Sequence, residues 1–257
     1  MTADTGRHTP RPGAAPLPRM ILAQTALETR MLLRHGEQLL LTMIIPALLL
    51  ALFSSVDLID TGPGDRIDFL APGVLALAVL ATAFTGQAIA TGYERRYGVL
   101  KRLGVSPLPR WALLLGKTGA VLVTLLLQAA LLSVVALSLG WSPRGNPLAV
   151  VGLMLLGTAA LSGLGLLMAG TLRAEATLAA ANLLFVLLLF FGGVVVPLTE
   201  YPDGLRVALE LLPVPALADG LREVLREGGW PEMADVAVLA GWSVLGLGLA
   251  ARFFRWE

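Results

Sequence analysis

Between Glu94 and Lys117 the chain carries seven charges, six of them Lys or Arg. The stretch Tyr93–Arg110, YERRYGVLKRLGVSPLPR, lies between an apolar run ending AFTGQAIATG and another opening WALLLGKTGA. Such a loop could bind nucleic acid, bind phosphate, set membrane topology or dock a partner. Nucleic acid is excluded, because only Tyr93 and Tyr97 are available as stacking platforms among the basic residues. Gly116-Lys117-Thr118 resembles the tail of a phosphate-binding P-loop, but Trp111 stands where that motif needs its first glycine, and Ala-Leu-Leu-Leu follows. Bulky apolar residues cannot curl backbone N–H groups around a phosphate. Lys117 therefore reads as a snorkelling residue at the start of an apolar helix. If ATP drives this chain, another chain binds it.

Topology and docking remain. Lys and Arg near a membrane fix its orientation and attract anionic lipid. That does not account for the order Glu94, Arg95, Arg96, Gly98, Leu100, Lys101, Arg102, Leu103, with Pro107 and Pro109 after it. Leu100 and Leu103, three apart, predict one short helix, and the prolines end it before the next apolar run. A short capped helix on a loop suits docking.

The surrounding chain dictates a membrane. It is 56% hydrophobic and 14% charged, against roughly 25% charged in soluble domains. The absence of cysteine excludes disulfides and thiolate chemistry, and His8 and His35 both precede the first apolar run. A bilayer core needs roughly 20 apolar helical residues, and six segments qualify: about 38–56, 69–92, 113–139, 148–172, 177–196 and 233–251. No period-2 alternation supports a barrel. The predicted fold is an all-α integral membrane protein with six transmembrane helices. With the N-terminus inside, fourteen of the nineteen Lys and Arg lie on the inner side, which predicts cytoplasmic N- and C-termini. Residues 1–19, with four prolines and three arginines, read as a disordered cytoplasmic tail, and 20–257 as the membrane domain. Residues 20–35 form an expected interfacial helix. Trp111, Trp141, Trp230 and Trp256 suit interface anchoring. Only two of the nineteen basic residues are Lys, which together with abundant Ala, Gly, Leu and Arg suggests a bacterial source.

Within the spans the strongly polar side chains are Gln87, Gln128 and Asn182. Such amides either cross-link helices or line a translocation path. Span four, GLMLLGTAALSGLGLLMAG, is dense in small residues, which predicts close helix packing, with a hinge as the sharper alternative. Residues 197–232 carry two leucine stripes, Leu205, Leu209, Leu212 and Leu217, Leu221, Leu225, separated by Pro213 and Pro215. They predict two short amphipathic helices on or dipping into the outer leaflet.

Over residues 20–252 the chain resembles the membrane subunits of type-2 ABC exporters, the antibiotic-resistance and polysaccharide-export permeases. In the loop, Glu94, Gly98, Leu100, Leu103, Pro107 and Lys117 fit the family pattern, and beyond the fifth span Gly192, Pro197, Pro202, Leu205, Pro213 and Arg222 fit. Arg96 and Val99 depart from it, where relatives often have an acidic residue and Thr. The resemblance implies a half-transporter in a bacterial plasma membrane, paired with a second copy or paralogue. A separate ATP-binding subunit would hold ATP and Mg, so no cofactor is expected in this chain. Loop 93–110 and helix 20–35 would contact that subunit. Gly98 would permit close backbone approach, Leu103 would fill an apolar pocket, and Glu94 would pair with the ATPase or with Arg95, Arg96 or Arg102. The cargo would be amphipathic or lipid-like.

A secondary transporter would need an ionisable group at membrane depth or internal repeats, and the sequence shows neither. A membrane hydrolase would need His at that depth. A purely structural membrane protein would leave the loop pattern unexplained.

Overall fold

The computed structural model describes residues 15–34, 36–55, 66–105, 107–194 and 196–255. The side chains of 37–39, 41 and 227 lie outside the description. The expected tail up to residue 14, His8, His35, the acidic segment around Asp57, Asp60 and Asp65, and Trp256 also lie outside the described residues.

The described residues form helices α1 (Leu17–Arg34), α2 (Gly36–Ser55), α3 (Arg66–Val79), α4 (Gln87–Arg96), α5 (Val99–Leu103), α6 (Arg110–Ser138), α7 (Pro147–Thr171), α8 (Ala174–Phe191), α9 (Asp203–Glu210), α10 (Pro213–Arg222) and α11 (Met233–Phe253). No strand occurs among them. α3 and α4 form one continuous helix, joined by a π-helical turn over Leu80–Gly86. A π-turn inserts an extra residue and rotates the faces on either side of it. Five helices are long and apolar enough to cross a membrane: Arg66–Arg96, Arg110–Ser138, Pro147–Thr171, Ala174–Phe191 and Met233–Phe253. The apolar part of α2, Thr42–Ser55, is shorter. α1 begins at Leu17, so the last residues of the expected tail are helical.

The Arg66–Arg96 helix is the centre of the bundle, and every α3 residue from Phe69 to Val79 is buried. α8 is its opposite, burying only Ala174, Thr177 and Ala181 and leaving Leu183, Val186, Leu187 and Phe190 exposed. An apolar helix exposed along most of its length needs lipid or another chain against it.

α1 has an inverted arrangement. Leu22 is 68% exposed while Glu28 is 7% exposed. Its polar stripe faces α6 and its apolar stripe faces outward. In water this would be costly, whereas at a lipid interface it is the favourable orientation. α9 and α10 are the two expected short helices, but only α9 is surface-lying. α10 buries Pro213, Val214, Leu217, Leu221 and Arg222 among α3, α7 and α11, because both sides of it meet protein. Trp141 is 6% exposed and belongs to the core, not to an anchoring surface.

The small residues of α7 serve close packing. A Cβ on Gly163 would lie 2.5 Å from the Leu247 backbone nitrogen and 2.6 Å from the Gly246 carbonyl carbon. The α7 and α11 backbones therefore touch, which stronger dispersion contact rewards where lipid offers no hydrophobic drive. Gly163→Ala should lower stability by about 1–3 kcal/mol, read as an earlier thermal unfolding transition in detergent. Gly152→Ala, where a Cβ meets nothing within 4 Å, should cause no such loss.

Candidate functional site

Gly98 has φ +70°, a left-handed conformation that allows the chain to turn from α4 into α5. Its N–H donates to the Arg95 carbonyl at 3.0 Å. Leu100 is completely buried in a cluster with Leu113, Leu114, Leu166, Ala250 and Phe254, and Leu103 packs partly against it. These two leucines fasten α5 to its own bundle, Leu100 fully and Leu103 in part. The outward surface is Tyr97, Val99, Lys101, Arg102 and Val105, with Val105 89% exposed. Pro107 is exposed, and Pro109 precedes α6 with its carbonyl accepting from Ala112 and Leu113. A Cβ on Gly98 would meet nothing within 4 Å, so its close approach has no counterpart in this chain.

Behind α5 lies a buried ionic cluster. Lys117 Nζ is 2.8 Å from Glu28 Oε1 on α1 and 2.6 Å from Glu94 Oε2 on α4. The Lys117 side chain is only 4% exposed, and Gln24 Nε2 donates to Glu28 Oε1 at 2.8 Å. Lys117 thus joins three helices and does not snorkel to lipid. Glu94 pairs with it and not with Arg95, Arg96 or Arg102 as the resemblance implied. Arg96 pairs with Glu175 at the start of α8, and Arg95 donates to the Leu172 carbonyl at the end of α7. The glycines beside Lys117 explain the Gly-Lys-Thr-Gly sequence. A Cβ on Gly116 would lie 2.7 Å from Gln24 Cγ, and one on Gly119 3.0 Å from Thr25 Oγ1. They admit α1, not a phosphate.

Within the bundle, Gln128 accepts from Thr82 Oγ1 at 3.2 Å and donates to the Thr42 carbonyl at 2.6 Å. It cross-links α6 to α2 and to the π-turn. Asn182 is exposed on α8 and donates to the Leu178 carbonyl of its own helix. Gln87 is buried, and neither amide atom has a partner among the described residues. Gln87 and both partners of Gln128, Thr42 and Thr82, line one cavity, which Asn182 does not reach.

At the opposite end, Arg222 is buried at the end of α10. It reaches Asp219 Oδ1 at 2.9 Å, the Val194 carbonyl at 3.1 Å and the Phe69 carbonyl at 3.5 Å. Its guanidinium carbon sits 3.9 Å from the Phe69 ring centroid. Burial pushes Arg222 down from its ordinary pKa, and the Asp219 carboxylate opposes that shift. Pro197 precedes the short helical turn Leu198–Glu200, Pro202 precedes α9, and Pro213 is the first residue of α10. Each proline occupies a helix start, where its missing N–H costs nothing.

Residues 21–225 match the family model described as ABC-2 type transporter. The chain belongs to this family. No curated protein matches it individually. As an ABC-2 type transporter chain it is a multi-pass membrane component, and the matched region is the membrane part of such transporters, not their ATPase. The family resembled in the sequence is thus the one matched.

The ABC-2 chain has site residues that its sequence did not reveal. Glu28 and Glu175 had no assigned role, and Lys117 was given to lipid. The one usable signal was the Gln24–Glu28 spacing within the polar stripe of α1, coupled with Gly116 and Gly119 three apart. Lys117→Met should cost about 3–5 kcal/mol, because it leaves two buried carboxylates facing each other. The triple variant Lys117→Met/Glu28→Gln/Glu94→Gln should recover most of that loss, both measured by thermal unfolding in detergent. Arg222→Lys should cost about 1–3 kcal/mol, since one ammonium cannot serve the Asp219, Val194 and Phe69 oxygens together.

Proposed function

We propose that this chain is the permease subunit of an ATP-driven exporter in the plasma membrane of a bacterium. In this reading six spans cross the membrane with both termini cytoplasmic. Two such subunits, identical or paralogous, enclose the pathway. Each is coupled to a separate ATP-binding subunit that holds ATP and Mg, and the cargo is amphipathic or lipid-like.

The observation that carries this reading is the construction of α5. Its apolar side is locked inward by Leu100, its outward side offers Val99, Lys101 and Arg102, and Val105 stands exposed in the turn that follows it. A helix of five residues has little stability of its own, so a surface this well anchored suits receiving a load from outside. Force on it passes to α4 and α6, whose adjoining ends are tied by Lys117 to Glu94 and to α1. The Arg96–Glu175 pair extends the same load to the α7–α8 turn. Closure of the ATPase drives transport only if the inward-open and outward-open states bind α5 differently. The exposed apolar faces of α2 and α8 favour pairing of two permeases or contact with lipid.

The test is co-purification with a soluble Walker-motif protein encoded beside this chain, with transport and ATP hydrolysis measured on the reconstituted pair. ATPase activity should depend on both chains. Val105→Asp should abolish the association while changing stability by no more than about 0.5 kcal/mol. Gly98→Trp, forced into a left-handed backbone, should uncouple hydrolysis from export. Normal export by both variants at normal membrane levels would overturn the reading.

A further inference from the structure

A cavity of about 220 Å³ lies between α1, α2, the π-turn, α4 and α6. A bridging water needs only roughly 10–15 Å³ by a comparable measure, so the space is an order of magnitude too large for a structural water alone. Its walls change character along their length. At one end stand Glu28, Glu94 and Lys117, the only charged residues among the described ones that line it. Two carboxyl groups face one ammonium there, a formal excess of one acid group in a largely buried site. A cation placed beside the pair would favour the ionised form of both carboxyls. The rest of the wall carries no charge: apolar residues such as Leu32, Ala81 and Val121 make up most of it, with the hydroxyls of Thr42, Thr82 and Thr124 among them.

Gln87 stands on the same wall of the cavity as Glu94. It is 6% exposed, lines the cavity, and has neither amide atom paired among the described residues. A buried amide without partners is destabilising, a penalty that a hydrogen-bonding ligand would remove. Gln87 and Glu94 are seven residues apart on α4, and Thr91, also in the lining, lies between them. Two helical turns put Gln87 about 10 Å from Glu94 along the axis.

We propose that this cavity binds a singly charged cationic amphiphile: an ammonium headgroup at Glu94 and Glu28, an apolar body along Leu32, Ala81 and Val121, and a second hydrogen-bonding group opposite Gln87. The site lies inside one subunit. It names a headgroup class for the cargo proposed above and rests on that reading only in treating the ligand as cargo. Occupancy itself needs neither ATP nor a partner.

The test titrates the full chain in nanodiscs of zwitterionic lipid at neutral pH with four probes: dodecylamine, its analogue hydroxylated in mid-chain, dodecanol and dodecyl sulfate. Dodecylamine should bind saturably and at least about tenfold more tightly than the alcohol or the sulfate, and the hydroxylated amine more tightly still. Ala90→Phe, which fills the cavity from α4, should weaken both amines about tenfold or more. Gln87→Leu should erase the advantage of the hydroxyl and leave plain dodecylamine unchanged. Equal affinity for the amine, alcohol and sulfate would overturn the proposal, as would survival of the hydroxyl's advantage in Gln87→Leu. If Ala90→Phe folds with a normal melting transition and still binds, the proposal also fails. If that variant does not fold, the Gln87→Leu comparison decides. Saturable amine binding without ATP-driven amine export would sink the cargo assignment and leave the site standing. Export of other amphiphiles without amine binding would do the reverse.

Discussion

The structure depends on one buried ammonium. Lys117 sits almost without solvent between Glu28 and Glu94, and a charge so placed persists only when its partners are held in good geometry. That requirement fixes the rest of this end of the bundle. α1 must lie against α6 with its polar stripe inward, which turns its leucines outward. Gly116 and Gly119 must lack side chains for α1 to approach. α4 must end where Glu94 can reach Lys117, so the chain must turn at once, and Gly98 supplies the left-handed residue that lets it do so.

A second buried cation holds the other end of the same central helix. Arg222 contacts the Phe69 carbonyl and ring near the start of the Arg66–Arg96 helix, while Lys117 holds Glu94 near its finish. The helix has 31 residues and spans about 46 Å. Its π-turn over Leu80–Gly86 falls between the two anchors. Its middle packs on apolar and small residues, including a close approach of Gly165 to the Phe84 carbonyl. Polar anchoring at its two ends makes it the element that joins α5 to the buried helix α10.

Much of the fold was legible in particular residues. Pro213, expected to separate two leucine stripes, is the first residue of the second helix, where proline has no N–H to lose. Of the six apolar stretches read from the sequence, five are helices long and apolar enough to cross a membrane among the described residues. The small residues of span four implied backbone contact, and Gly163 against Gly246 realises it. Four side chains show where local rules stop. Lys117 looked like a snorkelling residue because a lone lysine at a helix start has that fate when nothing faces it. Arg96 departs from the family pattern and was an expected partner of Glu94, whereas it pairs with Glu175, seventy-nine residues further along. Leu100 and Leu103 looked like a docking stripe, yet they face the interior.

The sequence by itself determined that the chain is a bundle of apolar helices, roughly which stretches form them, and which loop collects the basic residues. Those properties follow from local constraints: side-chain polarity, helix length and backbone freedom. The tertiary structure decided which polar groups meet. Glu28, Glu94 and Lys117 come from three separate helices, and the direction in which α5 presents its leucines depends on what α6, α7 and α11 place beneath it. Pairing energy at such distances depends on through-space geometry, and no local rule carries that information along the chain.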